Sequence, residues 1–278
     1  MTAVTETVRL ASAIPPISMF EAVALERAEL GRFIQTAAEL PDEAWEARSG
    51  RSGLDLHALV AHVAGTYAAQ ARLTELRRQL HPQLLRLYRM DGDALSDTFV
   101  RLQVGDRSSR SAADLLSELR AVGPVALEHR ARLIRPLALI DRVFTSFDGL
   151  PVPPLAPFRS VRDLWRHRLD LIETSGHDMD VDAVHDGRII AVIVRGRAAA
   201  ASRVLGDRSV DLVMGDLGTG AWRFGVPTEP DSTIELNSPE LARLLLAWRS
   251  PAATRERSRI DGDVKSAMSL LSSLRGSA

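Results

Sequence analysis

The chain has 278 residues and a formal net charge of -1, with acids and bases interspersed. That length suits two domains of ordinary size, and the near-neutral balance gives no electrostatic reason to expect nucleic acid or an anionic membrane as partner. There is no cysteine, which excludes disulfides, thiolate metal ligands and a cysteine nucleophile, so any thiol chemistry needs an external thiol.

No run of about 18 apolar residues occurs, and the first residues lack a basic region followed by an apolar stretch; a soluble cytoplasmic protein with a small-molecule or protein partner is expected. Lys265 is the only lysine, and arginine carries the remaining positive charge. That usage goes with GC-rich codons and points to a GC-rich bacterial source.

Taken in order, residues 1 to 15 are expected to be loosely ordered. Apolar residues then recur at helical spacing from Phe20 to Leu40 (Phe20, Val23, Leu30, Phe33, Ala37), with Ser18 as N-cap and Pro41-Asp42 as stop. A turn-rich linker from Trp45 to Gly53 leads into a long helix from Asp55 to about Gln79, with Leu56, Leu59, Val60, Val63, Tyr67 and Leu73 inward. His81 to Leu102 is broken by Pro82 and by Asp91-Gly92-Asp93, and no role can be read from it. A third helix opens at Ser111 and runs to about Ile134 with a kink or restart at Pro124. After the proline-rich connector Leu150–Pro157, Ser160 is expected to cap a fourth helix ending near Gly176.

Beyond Gly176 the texture changes. A polar connector over Asp178–Asp182 precedes a helix from Arg188 to Leu205, then strands at Ser209–Met214, Ala221–Val226 and Ser232–Leu236. A helix from Ser238 through Trp248 and a last one over Asp263–Leu274 follow. The expected class is α+β: an N-terminal four-helix bundle over residues 16-177 and a small α+β domain over 178-278.

Two stretches carry residues suited to chemistry. Asp163 and His167 are four apart on one helix, so both can reach one ion; Asp163 equally completes a capping box with Ser160. His62 is a lone polar ring in an apolar helix, either a core histidine bonded to the backbone or a ligand. Together His62, Asp163 and His167 would make a three-ligand metal site with an open position. His57 projects about 140° from His62 at roughly 100° per residue and does not readily share its site. His81, His129, His177 and His185 are expected to be solvated. Asp170 either orients a histidine from behind or faces solvent beside Arg166. Arg249, ending the Leu241 to Trp248 helix, is either a carboxylate-binding fork or a partner of the helix dipole.

Leu56-His-Ala-Leu-Val-Ala-His-Val-Ala-Gly65 resembles the first histidine helix of the mycothiol-dependent maleylpyruvate isomerase family, relatives of DinB-like bundle proteins. Asp163-Leu-Trp-Arg-His-Arg-Leu-Asp-Leu171 resembles that family's E-x-W-x-H-x-x-D-I helix. Gly220-Ala-Trp222, the helix ending at Arg249 and Asp261-Gly-Asp263 resemble its smaller C-terminal domain. The resemblance implies a DinB-like four-helix bundle with a divalent metal, zinc, on His62, Asp163 and His167, Asp163 standing where the family has glutamate. It implies mycothiol or a similar low-molecular-weight thiol as cofactor and actinobacterial origin. It further implies that the thiol, deprotonated at the metal, is the nucleophile of an isomerase or thiol S-transferase, with Arg249 holding a substrate carboxylate. The family's cysteine-proline-glycine-tryptophan turn is replaced here by Arg48-Ser-Gly-Arg-Ser-Gly53. That change and Asp163 keep a second reading open, a non-catalytic ligand-binding or regulatory member that has lost or altered its metal site.

Overall fold

The computed structural model describes residues 8–92, 94–144, 156–216 and 220–276. The chain divides into two compact units, Ser18–Asp178 and Met179–Ala278 with Met1–Ile17. The first is helical and the second is built on a five-stranded mixed sheet, so the protein is α+β. Among the described residues no helix is long and apolar enough to cross a membrane.

The helical unit contains α1 (Met19–Ala38), α2 (Leu56–Ala71), α3 (Leu73–Gln79), α4 (Pro82–Tyr88), α5 (Leu95–Gly105), α6 (Ala112–Phe144) and α7 (Ala156–Thr174). Ser18 caps α1, its hydroxyl accepting from Glu21 N–H at 3.1 Å while Glu21 reaches back to the Ser18 N–H, a reciprocal capping box. Asp55 caps α2 by accepting from Ala58 N–H at 2.7 Å. Between them Gly53 takes φ +70, which glycine adopts without the steric cost of a Cβ.

α1 packs on α6 and α7, and α2 lies between α5 and α6. This explains why α2 is apolar almost all round: Leu56, Leu59, Val60, Ala61, Val63, Ala64, Tyr67 and Ala68 are all buried. With Phe33, Leu115, Leu119, Leu127 and Leu171 they form the bundle core, where each large apolar side chain contributes about 1.5–3 kcal/mol of burial.

Three expectations change in this unit. The long helix expected over 55–79 breaks at Arg72, where the backbone turns extended (φ -134, ψ 116) and α3 starts afresh, so that Leu73, expected inward, is exposed. α6 runs through Pro124 as one helix, past the expected end near Ile134. α7 begins at Ala156, so Ser160 is inside the helix and caps nothing; Pro157 sits in its first turn, where a missing N–H is tolerated. The rest of the proline-rich connector, up to residue 155, lies outside the described residues.

In the second unit β1 (Arg9–Leu10), β2 (Ser209–Met214), β3 (Gly220–Gly225), β4 (Ser232–Leu236) and β5 (Arg259–Gly262) are ordered β1-β3-β2-β4-β5. β2 is central, antiparallel to β3 with Leu212 opposite Trp222, and parallel to β4 with Leu212 opposite Ile234. α8 (His185–Leu205) and α11 (Val264–Leu274) pack on the sheet, while α9 (Ser238–Leu245) and α10 (Pro251–Arg255) lie between β4 and β5 in sequence.

A loosely ordered start over residues 1 to 15 is contradicted from Arg9 onward. Arg9 and Leu10 pair in parallel with Trp222 and Arg223. Arg195 of α8 donates to the Ile14 carbonyl at 2.7 Å, and Arg188 to that of Pro15 at 3.1 Å. The segment is held by partners some 180 residues away, and a two-residue strand has no alternation that a sequence pattern could reveal.

Candidate functional site

A cavity of about 470 Å³ opens inside the Ser18–Asp178 unit, with walls from α1, α2, α6 and α7 and from Ser52 of the turn before α2. His62 and His167 both line it. Their rings meet edge to face, 5.4 Å between centroids at 82°. The sequence places them 105 positions apart; α2 and α7 bring them together.

A chain of amides fixes how His62 presents its nitrogens. The Gly65 carbonyl can only accept, so the amide that reaches it at 3.1 Å is the Gln79 NH2 group, which also donates to Glu75 at 2.9 Å. The Gln79 oxygen then accepts from the Gln103 NH2 group at 2.9 Å. That leaves Gln103 Oε1 to accept from His62, whose Nδ1–H donates over 2.7 Å. Nε2 of His62 is therefore the nitrogen with a free lone pair. Gly65 permits this approach: a Cβ there would lie 2.6 Å from the Gln103 Cβ.

Burial holds the His62 imidazole below its ordinary value, against smaller upward pulls from Gln103 and Asp163. His167 is pushed well below by burial, with His62 and Arg166 adding to the effect. Both rings are thus neutral near pH 7, the form in which imidazole ligates a metal.

Asp163 lines the same cavity, but its side chain is 46% exposed and is ion-paired with Arg162 at 3.3 Å and Arg159 at 3.8 Å. The capping role is ruled out by the start of α7. Among the described residues the ligand atoms of His62, Asp163 and His167 do not all come within 4.8 Å of one another. A tetrahedral zinc site with bonds of about 2.0–2.2 Å needs roughly 3.3–3.6 Å between ligands. The structure thus brings the two imidazoles together in one cavity wall and leaves the carboxylate with its arginines.

In the same cavity Tyr67 donates its hydroxyl to the buried Glu26 at 2.9 Å, and Arg130 also bonds Glu26 and lies over the tyrosine ring. Burial and the carboxylate raise the Tyr67 phenol well above its ordinary value, so it keeps its proton and acts as a donor, not a base.

Asp170 is neither solvated nor paired with Arg166. It is buried and accepts from the Ser49 hydroxyl at 2.7 Å. The Ser49 oxygen in turn accepts from the backbone N–H groups of Arg51 and Ser52 at 3.0 and 3.1 Å. One serine therefore shapes the turn before α2 and ties it to α7.

Arg249 is not in a last helical turn. α9 ends at Leu245, Ala247 takes φ 61, and Arg249 beyond it forms an ion pair of 2.6 Å with the buried Glu240. Of the other histidines, His57 bonds the Arg110 carbonyl at 2.7 Å, and His129 reaches that of Gln70 at 3.3 Å. His177 meets the Ser175 hydroxyl at 2.7 Å, and His185 is buried, not solvated. Gln103 and Gln79 were missed because neither a glutamine at the expected end of a helix nor one just past the broken 81–102 segment signals what it will touch.

Residues 26–172, more than half of the chain, match the family described as mycothiol maleylpyruvate isomerase N-terminal domain. The protein belongs to that family. Among solved structures it is similar to the crystal structure of the mycothiol-dependent maleylpyruvate isomerase, at 12% identity and a TM-score of 0.48, over 89% of this chain and 95% of that one. A histidine-to-alanine mutant of that isomerase matches over the same shares at 11% identity and a TM-score of 0.49. No curated protein matches the chain.

Proposed function

We propose that the bundle cavity is the active site of a metal-dependent isomerase or S-transferase that uses a low-molecular-weight thiol, mycothiol or a similar one, on a small electrophilic substrate. The observation that carries this reading is the meeting of neutral His62 and His167 in one cavity wall, with the His62 tautomer set by Gln103. Family membership supports it. Two imidazoles with a neighbouring carboxylate suit zinc, with His62, His167 and Asp163 as its holders. When bound, such an ion supplies Lewis acidity that keeps a cofactor thiol in its thiolate form at neutral pH. This chain, without cysteine, has no nucleophile of that kind of its own.

The chain's own residues orient and enclose. Gln103 keeps a proton on His62 Nδ1, and Val63 and Leu164 give the cavity apolar wall. Tyr67 holds its proton against Glu26. The partners required are a small substrate and a thiol, with no nucleic acid or membrane. One observation favours a non-catalytic ligand-binding member instead, the engagement of Asp163 by Arg159 and Arg162. Metal analysis of the purified protein, followed by a thiol-transfer assay, decides between them. About one divalent ion per chain, lost in His62→Ala together with transfer, is expected; negligible metal in a folded protein overturns the enzymatic reading.

A further inference from the structure

The cavity walls carry four arginines, Arg130, Arg159, Arg162 and Arg166, against three carboxylates, Glu26, Asp163 and Asp170. Glu26 is taken by Arg130 and Tyr67. Asp163 is shared by Arg159 and Arg162, and Asp170 is held by Ser49. Among the described residues Arg166 alone of the four has no ion pair with a carboxylate.

Arg159, Arg162 and Arg166 fall at i, i+3 and i+7 on α7, so they form one stripe along the cavity with a single acid, Asp163, among them. With four arginines against three carboxylates, the wall is net positive. A guanidinium presents a planar fork of donors that matches a carboxylate with two parallel hydrogen bonds. A cavity of about 470 Å³ admits a small organic acid.

We infer that Arg166 is the carboxylate-binding residue of this cavity, and that its ligand is a small organic anion seated next to His167. The assignment deepens the proposed function, on which it rests for the ligand's being a substrate. It also moves the carboxylate-binding role away from Arg249, which is engaged by Glu240. Arg166 touches the ligand and not the reacting bond, so it sets affinity and orientation.

The test is calorimetric titration of the full chain as purified with maleate, an unreactive dicarboxylate, and separately with inorganic phosphate, the metal content of each sample being measured alongside. Expected are maleate binding that weakens at least tenfold in Arg166→Gln, partial recovery in Arg166→Lys, and no change in Arg120→Gln, an exposed arginine of α6. Circular dichroism of Arg166→Gln checks that the bundle is intact; should that variant not fold, Arg166→Lys, with weaker maleate binding than wild type, carries the test. Maleate affinity unmoved in Arg166→Gln, no maleate binding by the wild type, or phosphate bound as tightly as maleate overturns the inference. Negligible metal with Arg166-dependent maleate binding refutes the metal reading and leaves this one standing.

Discussion

Replacing Gln103 by methionine keeps volume and removes both ends of its amide. The His62 Nδ1–H then loses its acceptor at 2.7 Å, and the Gln79 oxygen loses its donor at 2.9 Å. Gln103 and Gln79 are buried, and each orphaned buried group costs about 1–3 kcal/mol, so the pair should cost about 2–6 kcal/mol. In a folding unit of roughly 150–250 residues 1 kcal/mol moves the midpoint by about 2–4 °C, so Tm should fall by about 4–24 °C. With nothing to fix the tautomer, zinc affinity should drop about 10–100-fold. Gln103→Glu still accepts from His62 and should retain most of that affinity while losing the bond to Gln79. The assays are calorimetry on chelator-treated protein and zinc competition against a chromophoric chelator. If Gln103→Met melts with the wild type and binds zinc equally, the amide chain does not govern His62.

Removing the Ser49 hydroxyl (Ser49→Ala) takes a bond from the buried Asp170 carboxylate and should cost about 1.5–3 kcal/mol in urea denaturation followed by hydrogen exchange in α2 and α7; unchanged exchange there contradicts the tie between turn and helix. In the metal-free protein both site histidines are held below 6.5. The folded state then binds fewer protons than the unfolded one below that pH, and stability present above pH 6.5 should be lost as pH falls. His167→Gln should flatten this acid limb of Tm against pH, whereas an identical slope in the variant would assign it to other groups. Glu75, lowered to about 2 by Arg78 and Gln79 against its own burial, adds a loss of the same sign between about pH 4.5 and 2. In the second unit Gly225 has φ +88, and a Cβ there would lie 2.0 Å from the Arg208 carbonyl oxygen. Gly225→Ala should therefore destabilise the sheet by well over about 1 kcal/mol, read as selective exchange of β2 and β3 amides; wild-type protection there would contradict the strain.

The two histidines were legible in the sequence because each sits in a strongly periodic helix, and the α+β division because the pattern changes near residue 178. What fixes their chemistry was not. Gln79 ends the short α3 and Gln103 lies in the last turn of α5, where tertiary contacts outweigh local pattern. Asp163 looked like a cap because Ser160 precedes it by three, yet Pro157 allowed α7 to start a turn earlier. Asp170 looked solvated because the Ser49 hydroxyl that buries it lies 121 residues away. Arg249 and Glu240 carried no visible pairing, since their contact needs the chain to reverse after α9 at Ala247. β1, with two residues, and β5, with four, are too short for alternation to stand out.

X-ray absorption at the zinc edge of the protein as purified tests the central claim most directly. The account predicts about one ion per chain with two imidazole nitrogens at about 2.0–2.1 Å and an oxygen ligand, the imidazole signal halved or the ion lost in His62→Ala. An ion bound without imidazole, or no stoichiometric metal in a protein whose bundle is folded, would contradict it.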